Sequence, residues 1–581
     1  MEEIRIGVYV CWCGTNISRM VDVEDVAREI ETLPYVVVAR DYKYMCSDPG
    51  QDLIINDIIK HKLNRIVVAA CSPRIHELTF RKALENAGLN PYMFEMANIR
   101  EHVSWVHTNR EDATRKAKAL VAGAVSRVRW HSSLDKRFVE INPATLIIGG
   151  GISGISAALE IADAGKQVYL IEKTGQLGGY AAKIDLSAPF MYSAPQMINP
   201  KIDKIFKHPQ IKVFLNTQVE EMSGYFGNFT TKIKTEKDHE VELKFGNIIL
   251  AIGLSTFDPS VIENYKYGKI PDVITSLEFE QCLKSGKILR KDGSVPKNVA
   301  IIHCVGSRNS NYHDYCSRLC CKNALKYSNL VRAAIPDANI FEMYSDMRAM
   351  GDGCEELYSV TSRKNVMFLM FDQKNGMPDI REALPNDNCK MVIEMDEKLS
   401  GERIEIPADL VILMVAIEAQ KEAKKLAQAI GISMCGNQFF IERHPKLDPV
   451  ATTTDGVFIV GSCQAPKGIP HSVAQARAAT ARILARINVG HVEVEAAIAK
   501  VNEDICCGCQ TCISVCPYSA ISLDEEKHVS VVNEVLCKGC GTCSSACPNG
   551  AIRAQHFTDT QILSQIDGLL EKSLQLQEGL L

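Results

Sequence analysis

The 581-residue sequence has no apolar run near the roughly 18 residues that a membrane-spanning helix needs; stretches such as Leu410 to Ile417 fall far short. It has no basic, apolar leader either, opening Met-Glu-Glu-Ile-Arg. Positive charge is not in surplus. With 65 Lys+Arg against 70 Asp+Glu and a net charge of −5, the electrostatic footprint of a general nucleic-acid binder is missing. Nor is the chain poor in apolar residues, which at 46% of the sequence exclude intrinsic disorder. These absences lead to the expectation of a non-exported, cytoplasmic protein with no transmembrane segment and no nucleic-acid partner. The length implies about three to five domains, each able to bury a core.

What the chain has is cysteine, 22 residues of it. A reducing compartment does not sustain a disulfide framework in a chain this long, so clustered cysteines there indicate metal ligands or redox thiols. Four lie between Cys11 and Cys71, four between Cys304 and Cys321, and nine between Cys506 and Cys547. The last group has the plainest spacing. Cys506, Cys509, Cys512 and Cys516-Pro517 follow C-x2-C-x2-C-x3-C-P, and Cys537, Cys540, Cys543 and Cys547-Pro548 repeat it. This is the two-cluster bacterial ferredoxin pattern, in which the fourth cysteine of each run reaches the other cluster. One [4Fe–4S] cubane is expected on Cys506, Cys509, Cys512 and Cys547, and a second on Cys537, Cys540, Cys543 and Cys516. Cys507 falls outside the spacing. Paired zinc sites are the alternative, against which the eight interleaved ligands argue.

The middle of the chain reads as a dinucleotide fold. Thr145-Leu-Ile-Ile148 is a short buried strand, followed by Gly149-Gly-Gly151-Ile-Ser-Gly154 and a helix through Ala157 to Ala164; the next strand, Gln167 to Ile171, ends at Glu172. Gly149 permits the tight turn and Gly151 lets backbone approach a pyrophosphate. Gly154 allows close helix–strand packing, and Glu172 accepts from a ribose hydroxyl. Asn247-Ile-Ile-Leu-Ala-Ile-Gly253 resembles the strand leaving the flavin domain of two-dinucleotide flavoproteins. Gly456 to Gln464, ahead of Pro470 to Ala476, resembles their closing flavin motif, where a helix N-terminus favours negative charge on the reduced ring. FAD is therefore expected ahead of NAD. Its expected contacts are Gly149, Gly151, Gly154, Glu172, Lys173, Gly178, Gly179, Gly253, Gly461, Ser462, Cys463 and Val473. Two features of a pyridine-nucleotide disulfide reductase are missing. Outside the ferredoxin part there is no C-x2-C pair, and after the strand Asn298 to His303 a second glycine fingerprint gives way to Cys304-Val-Gly306-Ser-Arg308.

His303-Cys-Val-Gly-Ser-Arg308, followed by Tyr315-Cys-Ser-Arg-Leu-Cys-Cys321, resembles the A-type chain of heterodisulfide reductase, an iron–sulfur flavoprotein of methanogens and many anaerobes. Val10-Cys11-Trp-Cys13-Gly14, Arg40 to Gly50 around Cys46, Ala70-Cys71-Ser-Pro-Arg74, Met96 to Glu101 and Ser104 to His107 share it, so the resemblance runs from about residue 3 to the C-terminus. It implies a [4Fe–4S] cluster on Cys304, Cys316, Cys320 and Cys321 beside the flavin. It also implies Lys326 as a catalytic cation that stabilises the anionic reduced ring. Cys11, Cys13, Cys46 and Cys71 make a further site, for which zinc stays open; His102 nearby reads as a surface histidine. The expected cofactors are FAD and four [4Fe–4S] clusters.

On this resemblance the chain is an oxidoreductase, the electron-transfer component of a heterodisulfide-reductase-type complex. Electron pairs would enter at FAD, and single electrons would leave through the clusters to a disulfide-reducing partner of the CoM-S-S-CoB type and, by flavin-based bifurcation, to ferredoxin. The implied partners are B- and C-type subunits, a hydrogenase or formate dehydrogenase type donor with a small iron–sulfur adaptor, ferredoxin, and a second copy in a homodimer. Related hubs serve quinone-linked sulfur metabolism and aromatic-ring reduction; a stand-alone NAD(P)H-dependent flavoprotein is the remaining alternative. Longer family members carry an inserted ferredoxin in the flavin domain. With no cysteine between Cys71 and Cys282, this chain is the form without it, which leaves the low-potential exit open.

The expected organisation is α/β throughout. An N-terminal α/β cluster-binding domain covers 1–140, with strands Arg5–Val10 and Arg65–Ala70 and helices Val23–Thr32, Asp52–Lys60 and Ala113–Val128. A thioredoxin-reductase-like FAD domain covers 141–500, with a degenerate nucleotide subdomain at about 270–400. An α+β ferredoxin domain covers 501–555. A C-terminal amphipathic helix covers 556–581, striped by Ile562, Leu563, Ile566, Leu569, Leu570 and Leu574, and packs either on its own domain or on a partner. Cys282, Cys354, Cys389 and Cys435 have no ligand spacing.

Overall fold

Short apolar segments, each followed by a helix, build the first sheet. The structure is a computed structural model that describes residues 3–578 apart from 235–239, 375, 386 and 388. Strands β1 (Ile6–Cys11), β2 (Val36–Tyr42), β3 (Arg65–Ala70) and β4 (Phe94–Asn98) pair in parallel in the order β2-β1-β3-β4. The central β1 and β3 are almost wholly buried and read as unbroken apolar runs, as strands covered on both faces must. Helices α1 (Val23–Ile30), α2 (Asp48–His61), α3 (Pro73–Asn86) and α4 (Arg110–Val128) connect or cover them. Two helices start earlier than expected. Ser47 takes the N-cap position of α2 and Pro49 its first turn, where a missing N–H costs nothing. Asn109 caps α4 by accepting from Glu111 N and Asp112 N.

The middle of the chain holds two parallel five-stranded sheets. The first takes β5 (Thr145–Ile148), β6 (Val168–Ile171), β7 (Ile211–Phe214), β8 (Asn247–Leu250) and a late strand, Val457–Ile459, in the order β7-β6-β5-β8-Val457–Ile459. Helix α5 (Ile152–Asp163) leaves β5 and packs against the long helix Ile469–Val489. The second sheet is built on β9 (Asn298–Val305), flanked by Leu410–Val415 and Asn339–Tyr344, with Val273–Thr275 and Val366–Met370 at its edges. Helices α6 (Ser276–Lys284) and α7 (Cys320–Ala334) belong to it, and α8 is the long helix Ile469–Val489.

The C-terminal part pairs Ala499–Val501 with Ile552–Ala554 and Ile521–Asp524 with Val529–Val532, around two short helices, and ends in α9 (Asp559–Glu578). Residues 1–138 and 493–581 form one compact unit and 139–492 the other, so the ferredoxin-type segment and α9 are not separate bodies. The reason lies on α9. It lies along α4 at a seam of small residues, where a Cβ on Gly568 would fall 2.5 Å from Ser126 Oγ and 2.9 Å from Ala122 O. Of the apolar stripe, Leu569 joins this seam, its Cγ 2.9 Å from where a Cβ on Gly123 would lie. Ile562, Leu563, Ile566 and Leu570 remain exposed while Gln561 is buried; the Leu574 side chain lies outside the described residues. Among the described residues no helix is long and apolar enough to cross a membrane.

Candidate functional site

A cavity of about 1170 Å³ opens at the C-terminal ends of β5 and β8. Its floor is glycine for steric reasons. Gly149 turns the chain with φ +110°, and a Cβ there would lie 2.3 Å from Ala251 O; a Cβ on Gly154 would lie 1.9 Å from Gly149 O. Gly151 has nothing within 4 Å, so its bare backbone faces the cavity at the start of α5, as a pyrophosphate requires. Glu172 lines the cavity while accepting from Gly150 N at 2.7 Å and from Thr174 N and Oγ1 at 2.9 and 2.8 Å. A carboxylate accepts about four hydrogen bonds, so one place is left for a hydroxyl. Lys173 stands at the rim, bonded to Gln420 Oε1 at 3.0 Å and Glu422 Oε1 at 3.2 Å. Gly179, Gly253 and Ser462 are on the wall. Gly178 supports it by donating to Gly150 O at 2.8 Å, and Gly461 by donating to Gln475 Oε1 at 2.9 Å. The cradle fits an extended dinucleotide. Five of the twelve expected contacts are not on its wall: Gly154, Gly178 and Gly461 stand behind it as backbone supports, and Cys463 and Val473 turn away. The buried Cys463 thiol turns into the core and donates to Leu250 O and Val460 O, both at 3.2 Å. Val473 follows the lining residue Ser472 on α8 and so points about 100° away from it.

The other wall is the start of α7, where Leu319, Cys320, Lys322, Asn323 and Tyr327 line the cavity with Glu280 of α6. Cys304, Cys316, Cys320 and Cys321 come together here. Burial and the neighbouring thiols push Cys304 up to about 11 and Cys320 well above the ordinary thiol value. Cys321 goes the other way. Burial raises it, but a hydrogen bond from His303 holds it below its ordinary value. Arg318 N and Arg348 N donate to Cys316 Sγ and Cys321 Sγ at 3.3 Å each, and such N–H···S bonds suit ligating thiolates. His303 is wholly buried, its Nε2 paired with Glu342 Oε2 at 3.0 Å. Burial alone would depress it, yet Cys321 and Glu342 raise it to about 9.

Lys326 is only 1% exposed and does not reach the wall. Its ammonium donates to Leu186 O at 2.8 Å and pairs with Glu280, which also accepts from Tyr327 OH at 2.8 Å. Burial lowers Lys326, against Glu280. Sequence reasoning missed Glu280, Glu342 and Lys322. Glu342 had a signal, as an acid inside the apolar strand Asn339–Tyr344; Glu280 and Lys322 sit on ordinary amphipathic helices and had none.

In the other unit Cys11 ends β1 and Cys71 directly follows β3, Cys13 has a left-handed conformation with φ +50°, and Cys46 precedes α2. The C-terminal edge of a parallel sheet is where α/β folds place ligands. Arg100 Nη1 donates to Cys13 Sγ at 3.5 Å and is gripped by Glu101 at 2.7 Å. Burial pushes Cys71 up to about 12 against Arg100. His102 is exposed. In the ferredoxin-type segment Cys537, Cys540 and Cys543 share one small cavity with Cys516, the fourth cysteine of the other run. Cys547 feels the charge of Cys509. Ala520 N and Ala551 N donate to Cys516 Sγ and Cys547 Sγ at 3.3 Å, and Ser530 N to Cys506 Sγ at 3.5 Å. Cys507 is exposed. Among the described residues, no three Cys, His, Asp or Glu donors close in as a single metal ion would require.

Residues 145–266 match the FAD dependent oxidoreductase family and residues 499–554 the 4Fe-4S dicluster domain. The second of the A-type iron–sulfur chains of CoB–CoM heterodisulfide reductase in Methanopyrus kandleri is 43% identical over 654 aligned positions, covering 98% of this chain and 99% of that one. The A-type chain of the H(2):CoB-CoM heterodisulfide,ferredoxin reductase of Methanothermobacter marburgensis is 40% identical, covering 98% of each. The A-type chain of the H(2)/formate:CoB-CoM heterodisulfide,ferredoxin reductase of Methanococcus maripaludis is 35% identical, covering 100% of each. Among solved structures, the T. acidophilum thioredoxin reductase covers 60% of this chain and 99% of its own, with a TM-score of 0.42 and 15% identity. With relatives this similar along the whole chain, the protein belongs to the A-type family of heterodisulfide reductase chains and is an oxidoreductase component that carries FAD and iron–sulfur clusters.

Proposed function

We propose that this electron-transfer protein is the hub of a heterodisulfide-reductase-type complex and holds four [4Fe–4S] clusters. Their ligands are Cys11, Cys13, Cys46 and Cys71; Cys304, Cys316, Cys320 and Cys321; and the two interleaved ferredoxin sets. The observation that carries the reading is Cys320, which belongs to the second set and also stands on the wall of the FAD cavity. Another member of that set, Cys304, opens the segment where an NAD(P)H-dependent reductase keeps its second glycine fingerprint. FAD, when bound, exchanges either one or two electrons and each cubane one, so the two together turn a paired input into single steps.

The chain's own residues do the rest. Gly149 to Gly154 bind the pyrophosphate, Glu172 orients a ribose, and the start of α8 faces developing negative charge. His303, backed by Glu342, donates toward Cys321, while backbone N–H groups hold the charge of the ligand sulfurs.

The names of the relatives support a donor of hydrogenase or formate dehydrogenase type, and they support both a heterodisulfide and ferredoxin as acceptors. On this reading the donor works through a small iron–sulfur adaptor, B- and C-type subunits reduce the disulfide, ferredoxin takes the second electron by bifurcation, and two copies of the chain sit at the centre. The 654-position alignment is longer than this 581-residue chain, so the Methanopyrus relative carries residues with no counterpart here. That fits the form without an inserted ferredoxin. The test is cofactor content. Anaerobically purified protein should hold one FAD and about sixteen irons, from four cubanes. About eight irons with stoichiometric zinc would confine the clusters to the ferredoxin-type segment. Turnover of NAD(P)H with a dye by the isolated chain would overturn the hub altogether.

A further inference from the structure

Three cations gather where α8 begins at the FAD cavity. Lys322 and Lys467 both stand on the wall beside Gly468, the N-cap of α8. Lys322 Nζ comes so close that a Cβ on Gly468 would lie 2.9 Å from it. Arg318 is near enough to repel both lysines. Among the described residues none of the three forms an ion pair; the acid whose charge Lys467 feels, Glu442, instead accepts from Gln464 Nε2 at 2.8 Å.

Folding alone disfavours this placement. A helix start carries partial positive charge, so ammonium groups belong at the other end. Burial adds to the penalty. It pushes Lys467 down to about 8, with Arg318 deepening the shift and Cys463 and Glu442 opposing it. Lys467 is nevertheless held in place. Its Nζ donates to Gln464 Oε1 at 2.6 Å and Gln475 Oε1 at 2.8 Å, and Gln475 Nε2 closes the ring by donating to Gln464 Oε1. Gln475 Oε1 also takes the Gly461 N–H, which ties the ring to the closing flavin motif. A charge fixed so firmly at the wrong end of a helix is explained by a negative charge in front of it.

We propose that Lys467 and Lys322 are charges that hold the reduced form of the bound flavin, with Gln464 and Gln475 as the residues that position Lys467. Two electrons and one proton entering the ring system leave one net negative charge, which two ammonium groups and the start of α8 then meet. The inference rests on FAD as the ligand of this cavity.

Spectroelectrochemical titration of the holoprotein tests it. Lys467→Met and Lys322→Met should each weaken the hold on reduced relative to oxidised FAD by about tenfold. For a two-electron couple that is a midpoint potential lower by about 30 mV. Lys467→Arg, which keeps the charge, should recover most of it. Oxidised FAD should bind the apoprotein of each variant much as it binds wild type. A wild-type potential in both methionine variants, with FAD still bound, overturns the assignment. If Lys467→Met disturbs the glutamine ring and loses FAD, Lys322→Met decides alone by the same criterion. Failure of the underlying reading looks different: wild-type protein would then release no FAD.

Discussion

Cys320 is proposed as a cluster ligand, and it also forms part of the cavity wall. Removing one thiolate of four should leave the cluster poorly held, while the glycine floor and Glu172 lie on other elements. Cys320→Ala should therefore lose about four irons and keep its FAD. Rapid-mixing reduction by a physiological donor complex then gives the decisive readout: wild-type electron transfer to the ferredoxin-type clusters would show the Cys304–Cys321 group to be structural. The neighbouring Lys326–Glu280 pair makes a different prediction. Both side chains are at least 98% buried, so Lys326→Met strands a carboxylate and should cost about 3–5 kcal/mol in thermal unfolding. Adding Glu280→Gln should return much of that loss, a coupling that a double-mutant cycle measures directly. Cys463 shows how a residue can be right in position and wrong in direction. It lies in the closing flavin motif, but the short turn at Gly461–Cys463 aims its thiol at carbonyls of the core.

Among the elements, β4, α4 and α9 meet at a buried knot of titratable groups. Arg127 of α4 donates to Glu95 of β4 at 3.2 Å and to His556 O at 2.9 Å, just ahead of α9. The rings of His131 and His556 stack at 4.3 Å. Burial raises Glu95 to about 7, against Arg127, and lowers His131 to about 3. The two act in opposite directions. A carboxyl with a raised folded value contributes stability that is full below its ordinary value near 4.5 and lost as pH rises through about 7. A depressed histidine contributes stability above its ordinary value near 6.5 that is lost as pH falls through about 3. Comparing wild type with Glu95→Gln isolates the first. The two should unfold alike near pH 5, and the glutamine variant should be the more stable at pH 8; a constant difference across that range would refute the buried carboxyl. None of this knot was legible in the sequence, because its members come from chain segments more than 400 residues apart. The core strands were legible, since parallel strands buried on both faces must be continuous apolar runs. Helix starts at Asp48 and Arg110 were missed because their caps, Ser47 and Asn109, lie outside any apolar period.

At the scale of the whole molecule, chemistry that repeats at fixed spacing was readable and chemistry assembled by folding was not. The two ferredoxin runs and the glycine floor are local, so their residues identify themselves. Glu280, Lys322 and Lys467 meet only because α6, α7 and the start of α8 converge on one cavity, and no spacing announces that. The same distinction bears on the division of the chain. The ferredoxin-type segment shares a compact unit with residues 1–138, while the flavin cradle is wholly within 139–492. Cofactor loss should follow these units rather than the order of the sequence. Cys537→Ser removes one proposed ligand, a cysteine that shares one small cavity with Cys516, Cys540 and Cys543. It should perturb one cluster, seen as a loss of up to about four irons and a changed electron paramagnetic resonance signal. FAD should stay at one per chain with its spectrum unchanged, because among the described residues no wall of its cavity comes from 493–581. If FAD leaves together with that cluster, the flavin site depends on the other unit, and two compact units cannot then be treated as independent holders of their cofactors.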